Sequence, residues 1–345
     1  MNRMTLSIRV ATTQDHAAWD AYVDAHVQAT VFHRFAWREV LAQSLGYTPE
    51  YLIAAGANGI CGVLPLMLVR SRLYGTTLVS LPFCAYGGPL ADDEPTLSAL
   101  DEHAQARARE CAARYVEYRF PGISPLQAPL QDLYQTFTRT VPENIEELAA
   151  VPQKRRSLLR RAQRLQLRAE IGRDVDTFFE LYADNAHVHG TPALPKRFFR
   201  ILLDHLDDSA DILLVRDAKG RALSGMLNYH FRDRLMAYFA GETTAARASY
   251  ANDFKCWQLL VHAWRSGHAV LDYGRSKVGT GSMDFKKLWG FEATPLDYAF
   301  RLTGVSEIPQ NNPMNPNYQM AIRVWRKLPR PVVDFIGPRV IHGLG

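Results

Sequence analysis

The feature that most constrains this chain is that its order of secondary-structure signals occurs twice. In the first half, 6–10 alternates like a strand. Residues 15–25 and 33–45 read as helices, the first with Thr13 as a plausible N-cap and the second closed by Gly46. Runs 51–55 and 62–69 flank the hairpin signal Gly56-Ala57-Asn58-Gly59. Residues 78–83 are an apolar strand, 97–114 a helix, 115–120 a strand, and 137–141 a further strand. The second half runs 167–171, helices 175–188 and 196–206, then 212–216 and 222–230 around Asp217-Ala218-Lys219-Gly220. Strand 235–240, helix 251–266 and strands 269–273 and 297–302 complete it. Each half therefore reads strand, two helices, hairpin, strand, helix, strand. This is a long-period duplication that predicts mixed sheets with helices on their faces. One irregular α/β domain is the alternative.

Length and composition agree with a duplicated globular chain: 345 residues, 47% hydrophobic and 22% charged, enough for two cores. The net charge of +5 permits an anionic partner without requiring one. Cys61, Cys84, Cys111 and Cys256 form no CxxC pair, which argues against a zinc ribbon or a redox centre and fits a reducing compartment. The first residues carry no signal-peptide pattern, and no apolar run approaches 18 residues, so a cytoplasmic location is expected. Beyond 302 the chain turns at Asn311–Asn317, then 318–328 reads as a short amphipathic helix ended by Pro329 and Pro331. The weakly apolar 332–345 either packs back on the body or touches a membrane surface.

Motifs for a serine elbow, a P-loop and a dinucleotide fold are absent. His187 and His189 form an HxH with no third ligand at metal spacing, and i and i+2 face apart on a helix, so no metal is expected. Lys154, Arg155, Arg156, Arg160, Arg161, Arg164 and Arg168 lie in one segment without an acid. Leu158, Leu159, Ala162 and Leu165 recur there at helical spacing. The result is an amphipathic helix whose cationic face is either simply solvated or contacts phosphates of a tRNA, a nucleotide sugar or a lipid head. The densest candidate site is Asp272-Tyr273-Gly274-Arg275-Ser276, followed by Gly279-Thr280-Gly281 and Phe285-Lys286-Lys287-Leu288-Trp289-Gly290. A strand ending in a carboxylate and an arginine, a glycine loop and a cationic turn suit an anionic ligand; an Asp–Arg pair stapling a loop is the plainer alternative.

These segments, together with Gln153–Ala162, Leu181-Tyr182 and Gly190-Thr191-Pro192, resemble the FemAB-like aminoacyltransferase family over nearly the whole chain. Asn315-Pro316-x-Tyr318 and Trp325-Arg326-Lys327-Leu328-Pro329 resemble its branch associated with exosortase and PEP-CTERM systems. The resemblance implies two tandem GNAT-like domains, here 1–145 and 146–305 with a tail at 306–345. It also implies transfer of an acyl, usually aminoacyl, group to an amine of a cell-envelope or exopolysaccharide precursor. The family's Phe-Lys motif falls on Phe285 and Lys286, and its lysine is implicated in transfer and donor recognition. Its Trp-containing helix falls on Trp37, with Leu41 where a lysine often stands. His189, Lys196 and Arg197 lie near the place of a phosphate-binding arginine.

The pyrophosphate loop of ordinary GNAT enzymes would fall at 241–247, which has no GxG. Ser276-x-x-Gly279-x-Gly281 has the spacing but follows the next strand, so acetyl-CoA in its usual groove is disfavoured. The expected donor is an aminoacyl-tRNA or an acyl thioester, with no further cofactor and no DNA partner. Lys286 would neutralise charge or hold the donor. Asp272, or Tyr238 with Asn228, would orient the amine or take its proton. Arg275, Ser276, Phe285 and Trp257 would line the same cavity, and Arg155, Arg160, Arg161 and Arg164 would meet phosphate. The alternative is a non-catalytic phosphate-ligand or tRNA-binding protein on a degenerate GNAT scaffold.

Overall fold

Caps and breakers set the element boundaries in the computed structural model, which describes residues 6–71, 74–145, 150–308 and 316–343. In chain order the first elements are β1 (Ser7–Val10), α1 (His16–Ala25), α2 (Ala36–Leu45), β2 (Thr48–Pro49), β3 (Leu52–Gly56) and β4 (Gly59–Leu64). Then come β5 (Met67–Ser71), β6 (Gly75–Val79), β7 (Leu90–Ala91), α3 (Glu94–Glu110), β8 (Tyr115–Arg119) and β9 (Leu130–Thr140). There follow α4 (Gln153–Arg164), β10 (Arg168–Gly172), α5 (Val175–His189), α6 (Lys196–Leu206), β11 (Ala210–Arg216), β12 (Ala222–Phe231) and β13 (Arg234–Glu242). The last are α7 (Ala245–Ala248), α8 (Ala251–Arg265), β14 (Val270–Lys277), α9 (Gly281–Leu288), β15 (Glu292–Leu302), α10 (Pro316–Lys327) and α11 (Arg330–Ile341). The Asp93 carboxylate accepts from Thr96 N at 2.8 Å to start α3, and Asp174 accepts from Thr177 N at 3.0 Å to start α5. Left-handed Gly46 and Gly190 end α2 and α5.

Several expected boundaries move. The single run 62–69 is two strands, because Pro65 falls between β4 and β5. The run 78–83 stops as a strand at Val79; Leu81 and Phe83 lie at φ 62° and 63°. The basic helix ends at Arg164 rather than 168, leaving Leu165 exposed. Residues 330–341, for which no element was expected, form a helix.

The chain divides into two units: Met1–Asp132 with Pro295–Gln310 and Val340–Gly345, and Leu133–Thr294 with Asn311–Arg339. This differs from the division expected at 145. Tyr298 to Leu302 of β15 pair with Arg119 to Tyr115 of β8, which returns that strand to the first unit. The tail is shared as well. In the second unit Ile322 packs against Gly190, while in the first His342 O accepts from the Tyr47 hydroxyl at 2.8 Å. The turn expected at 311–317 lies outside the described residues up to 315.

In the first unit one sheet runs β1-β3-β4-β7 and a second runs β15-β8-β6-β5-β2. The β6–β8 pair there is parallel, joined through α3. Leu100, Ala104 and Ala108 of α3 bury against Leu52, Leu64, Leu78 and Val116. In the second unit the order is β10-β11-β12-β13-β14-β9, with β13 and β14 parallel across α8. The fold is thus mixed α/β. The same sequence of strand, helix pair, hairpin and β-α-β crossover occurs in both units, and only the first splits its sheet. Alternate residues of β12 serve opposite faces. Ser224 reaches Asn252 on α8, whereas a Cβ at Gly225 would meet Phe178 and Leu181 on α5.

Candidate active site

The second unit contains a place where two parallel neighbours stop pairing. Arg234, Leu235 and Met236 of β13 pair with Val270, Leu271 and Asp272 of β14, and there the register ends although both strands continue. Each strand is bulged at this level. Between β12 and β13 the register passes from Leu227↔Phe239 to Asn228↔Ala237, so Tyr238 is the extra residue. Between β14 and β9 it shifts between Asp272 and Arg275, with Gly274 at φ 66°. A bulge bends its strand and re-aims side chains. The two bulges adjoin: a Cβ on Gly274 would lie 3.4 Å from Ala237 O and 3.7 Å from Tyr238 Cδ2. Glycine is required there by its positive φ.

Asp272 and Lys286 clamp the Gly274 bulge from two sides. Asp272 is fully buried. Its Oδ1 accepts from Gly274 N at 2.8 Å and Thr136 Oγ1 at 3.2 Å, and its Oδ2 from Arg234 Nη1 at 3.3 Å. Lys286, in the second turn of α9, donates from Nζ to Gly274 O at 2.9 Å and Arg275 O at 3.1 Å. Its ammonium also sits 5.1 Å from the Phe137 ring centre and 5.6 Å from that of Tyr273. Burial pushes the Lys286 ammonium down to about 7, against the opposing pull of the Asp272 carboxylate. The expected grouping of Asp272 with Lys286 is therefore present, but the arginine partner is different. Arg234 pairs with Asp272, while the Arg275 guanidinium lies 4.7 Å over the Tyr134 ring. Ser276 Oγ meets Ser282 Oγ at 3.0 Å.

Behind the bulge lies an aromatic wall. Phe285 packs near Tyr273 and Trp289, and Trp289 Nε1 donates to Asp253 Oδ1 at 3.1 Å. Arg155 donates to the same oxygen at 3.1 Å and lies over Phe285. Desolvation raises the Asp253 carboxyl above its ordinary range, with Arg155 opposing. Arg155 is thus an internal anchor rather than a phosphate ligand. Trp257 is also corrected: it is a core residue among Phe137, Phe254 and Leu260.

Asn228 does not assist Tyr238. Its side chain faces α8 and donates to Asp211 Oδ1 at 2.8 Å, whereas Tyr238 packs at a tilt on Tyr229, the next residue along β12 and on the opposite face. Trp37 is a core residue of the first unit, donating to Val31 O at 3.0 Å and packed on Phe32. His189 is exposed at the end of α5, and its carbonyl accepts from Arg326 at 3.3 Å. On α4, Arg160 and Arg164 are exposed, and Arg161 donates to the Tyr250 hydroxyl at 3.1 Å.

Sequence reading missed three groups here. Asp253 carries the Arg155–Trp289 junction. Lys255, buried beside Gly225 O at 3.5 Å, is pushed down to about 8 by desolvation. Asp211, His230 and His262 bring one ligand atom each within 4.8 Å of one another. None has a motif: their partners come from different strands and helices. Of the segment 241–247, where a pyrophosphate loop was expected, the first two residues end β13 and the last three open the short helix α7; Tyr250, at φ 60°, caps the start of α8.

Residues 150–287 match the family model described as an acetyltransferase (GNAT) domain. No curated protein matches the chain at a significant level. Among solved structures it is similar to FemX, with 16% identity, 92% of this chain and 100% of that one covered and a TM-score of 0.62. It is also similar to a tandem GNAT protein from the clavulanic acid biosynthesis pathway, with 10% identity, 88% and 100% covered and a TM-score of 0.58. A third is the C-terminal domain of a putative lysylphosphatidylglycerol synthetase from Agrobacterium fabrum, with 13% identity, 85% and 93% covered and a TM-score of 0.57. Match and strand geometry agree on the fold: residues 150–287 are GNAT-like, with a mixed sheet whose parallel pair parts where β13 and β14 diverge.

Proposed function

We propose that this protein transfers an acyl group, most simply an aminoacyl group, to an amine of a cell-envelope or exopolysaccharide precursor, as a FemAB-type enzyme of the PEP-CTERM-associated branch. The observation that carries the reading is the pair of adjoining bulges where β13 and β14 part. The opening between Tyr238 and Gly274 would hold the donor's ester or thioester. The acceptor nitrogen attacks the carbonyl carbon, the tetrahedral oxyanion collapses, and the tRNA ribose hydroxyl or the thiol departs, with the amine's proton passing to solvent or to the leaving group. Holding the two reactants in register supplies much of the acceleration and needs neither a covalent enzyme intermediate nor a resident cofactor. In this reading Asp272 and Lys286 are positioning residues that fix the Gly274 bulge, and Tyr238 borders the acyl group.

Exposed Arg160, Arg161 and Arg164 would meet the phosphates of a tRNA donor. Among the described residues no helix is long and apolar enough to cross a membrane. Exposed Met320, Val324 and Phe335 beside Arg323 and Arg339 fit peripheral contact with an anionic surface. Four free thiols fit a cytoplasmic setting.

The test is a transfer assay with aminoacyl-tRNA and acyl-CoA donors and amine acceptors, run on the wild type and on Tyr238→Ala. Turnover that falls at least 100-fold in a folded Tyr238→Ala protein supports the site. Donor binding without turnover in the wild type would make the protein a phosphate-ligand binder instead.

A further inference from the structure

On the α8 face of the second unit, away from the Tyr238 side of β12, a carboxylate and three imidazoles converge. Asp211 is the second residue of β11, His230 lies near the end of β12, His262 is in the last turn of α8, and His268 follows that helix. Asp211 Oδ2 is 2.9 Å from His230 Nε2 and 2.6 Å from His262 Nε2. The three side chains keep 16%, 18% and 13% of their exposure, enough for an ion to enter.

We propose that Asp211, His230 and His262 bind one divalent transition-metal ion, with the remaining position left to water. Two imidazoles and one carboxylate are a donor set for Zn²⁺, Co²⁺ or Ni²⁺ rather than for Ca²⁺ or Mg²⁺. Ligand bonds of about 2.0–2.2 Å in a tetrahedron place donor atoms about 3.3–3.5 Å apart, so the observed spacings widen by less than about 1 Å to admit the ion.

The far side of each ligand is already held. Asn228 Nδ2 donates to Asp211 Oδ1 at 2.8 Å, His230 Nδ1 meets His268 Nε2 at 2.8 Å, and His262 Nδ1 lies 3.5 Å from Ser266 Oγ. Such outer partners fix the tautomer and aim of metal-bound histidines. The line from Asp211 through His230 and His268 ends on Arg232 O at 3.2 Å. It has an acceptor at each end and two imidazoles between, so three gaps need three hydrogens and two neutral rings carry only two. A metal ion between Asp211 and His230 fills the first gap and leaves both rings neutral.

The experiment uses the untagged full chain after chelator treatment. Zn²⁺ is titrated calorimetrically, Co²⁺ by its visible d–d absorption, and melting is followed with and without Zn²⁺. The proposal expects one equivalent bound, a tetrahedral Co²⁺ spectrum and a melting temperature that rises with Zn²⁺. Asp211→Asn and His262→Gln should each weaken affinity at least 100-fold. His268→Gln, which removes only an outer partner, should weaken it about 10–100-fold while leaving one site. A His187→Gln, His189→Gln double variant should bind as the wild type does. Absence of a Co²⁺ band and of a Zn²⁺-dependent melting shift in the wild type would overturn the proposal, leaving a proton in the extra gap. So would binding that survives both Asp211→Asn and His262→Gln.

Discussion

At Lys286 a side chain read from sequence as reaching into a cavity proves to hold the backbone that shapes it. Its long stem passes the Phe137 and Tyr273 rings, and its ammonium ends on two carbonyls of a bulged strand. The depressed value near 7 carries a sign for stability. The unfolded lysine keeps its proton to about pH 10.4, so between pH 7 and 10 the unfolded chain binds more protons. The group's burial cost is therefore full below pH 7 and fades as pH rises. In Lys286→Met, urea unfolding should lose this pH-dependent gain. At pH 9.5 the variant should be about 1–3 kcal/mol less stable than wild type, because the carbonyls of Gly274 and Arg275 lose their donor. Sequence reading could place Asp272 near Lys286, since a strand end and the following helix are neighbours along the chain. It could not find Arg234 as the acid's partner, because that pairing depends on a parallel register between strands 36 positions apart.

The basic helix α4 shows why composition alone misassigns an element. Its cations look equivalent in sequence, yet the helix has one buried stripe, Leu159 and Ala162, and the arginines nearest the core serve the fold. Arg155 neutralises Asp253 beneath Trp289, and Arg156 donates to Val151 O at 2.9 Å. Arg155→Ala leaves a mostly buried carboxylate without its cation and should cost about 3 kcal/mol in chemical denaturation. Arg160→Ala and Arg164→Ala should stay within about 0.5 kcal/mol of the wild type. Polyanion binding should sort the other way. Reversing Arg160, Arg161 and Arg164 to Glu should weaken tRNA binding and flatten its dependence on log salt by about 2–3, whereas salt-independent binding by the wild type would assign this face to solvent. Pattern reading found most elements because period and punctuation are local. It missed the Pro65 break by joining two strands, and it assigned no element to 332–345, where α11 tolerates Pro338 near its end.

Across the molecule the duplicated order was legible because each half repeats its own local signals. The exchange of the last strand was not, because pairing of Tyr298–Leu302 with β8 links segments about 180 residues apart. The tail likewise binds where only tertiary structure places it: Ile322 on Gly190, and Arg330 on Asp184. Truncation before residue 316 removes these contacts and the Tyr47–His342 bond, and should lower the melting temperature by several degrees. Discontinuity of the first unit also sets an order of events during synthesis. Its α3 and β8 leave the ribosome early, but the strand that pairs with β8 is made only after the whole 133–294 segment. At about 5–20 residues per second that interval is roughly 10–30 s. Throughout it the open edge of β8 waits for its neighbour, so the nascent chain is the stage at which this protein most needs a chaperone at its exposed strand.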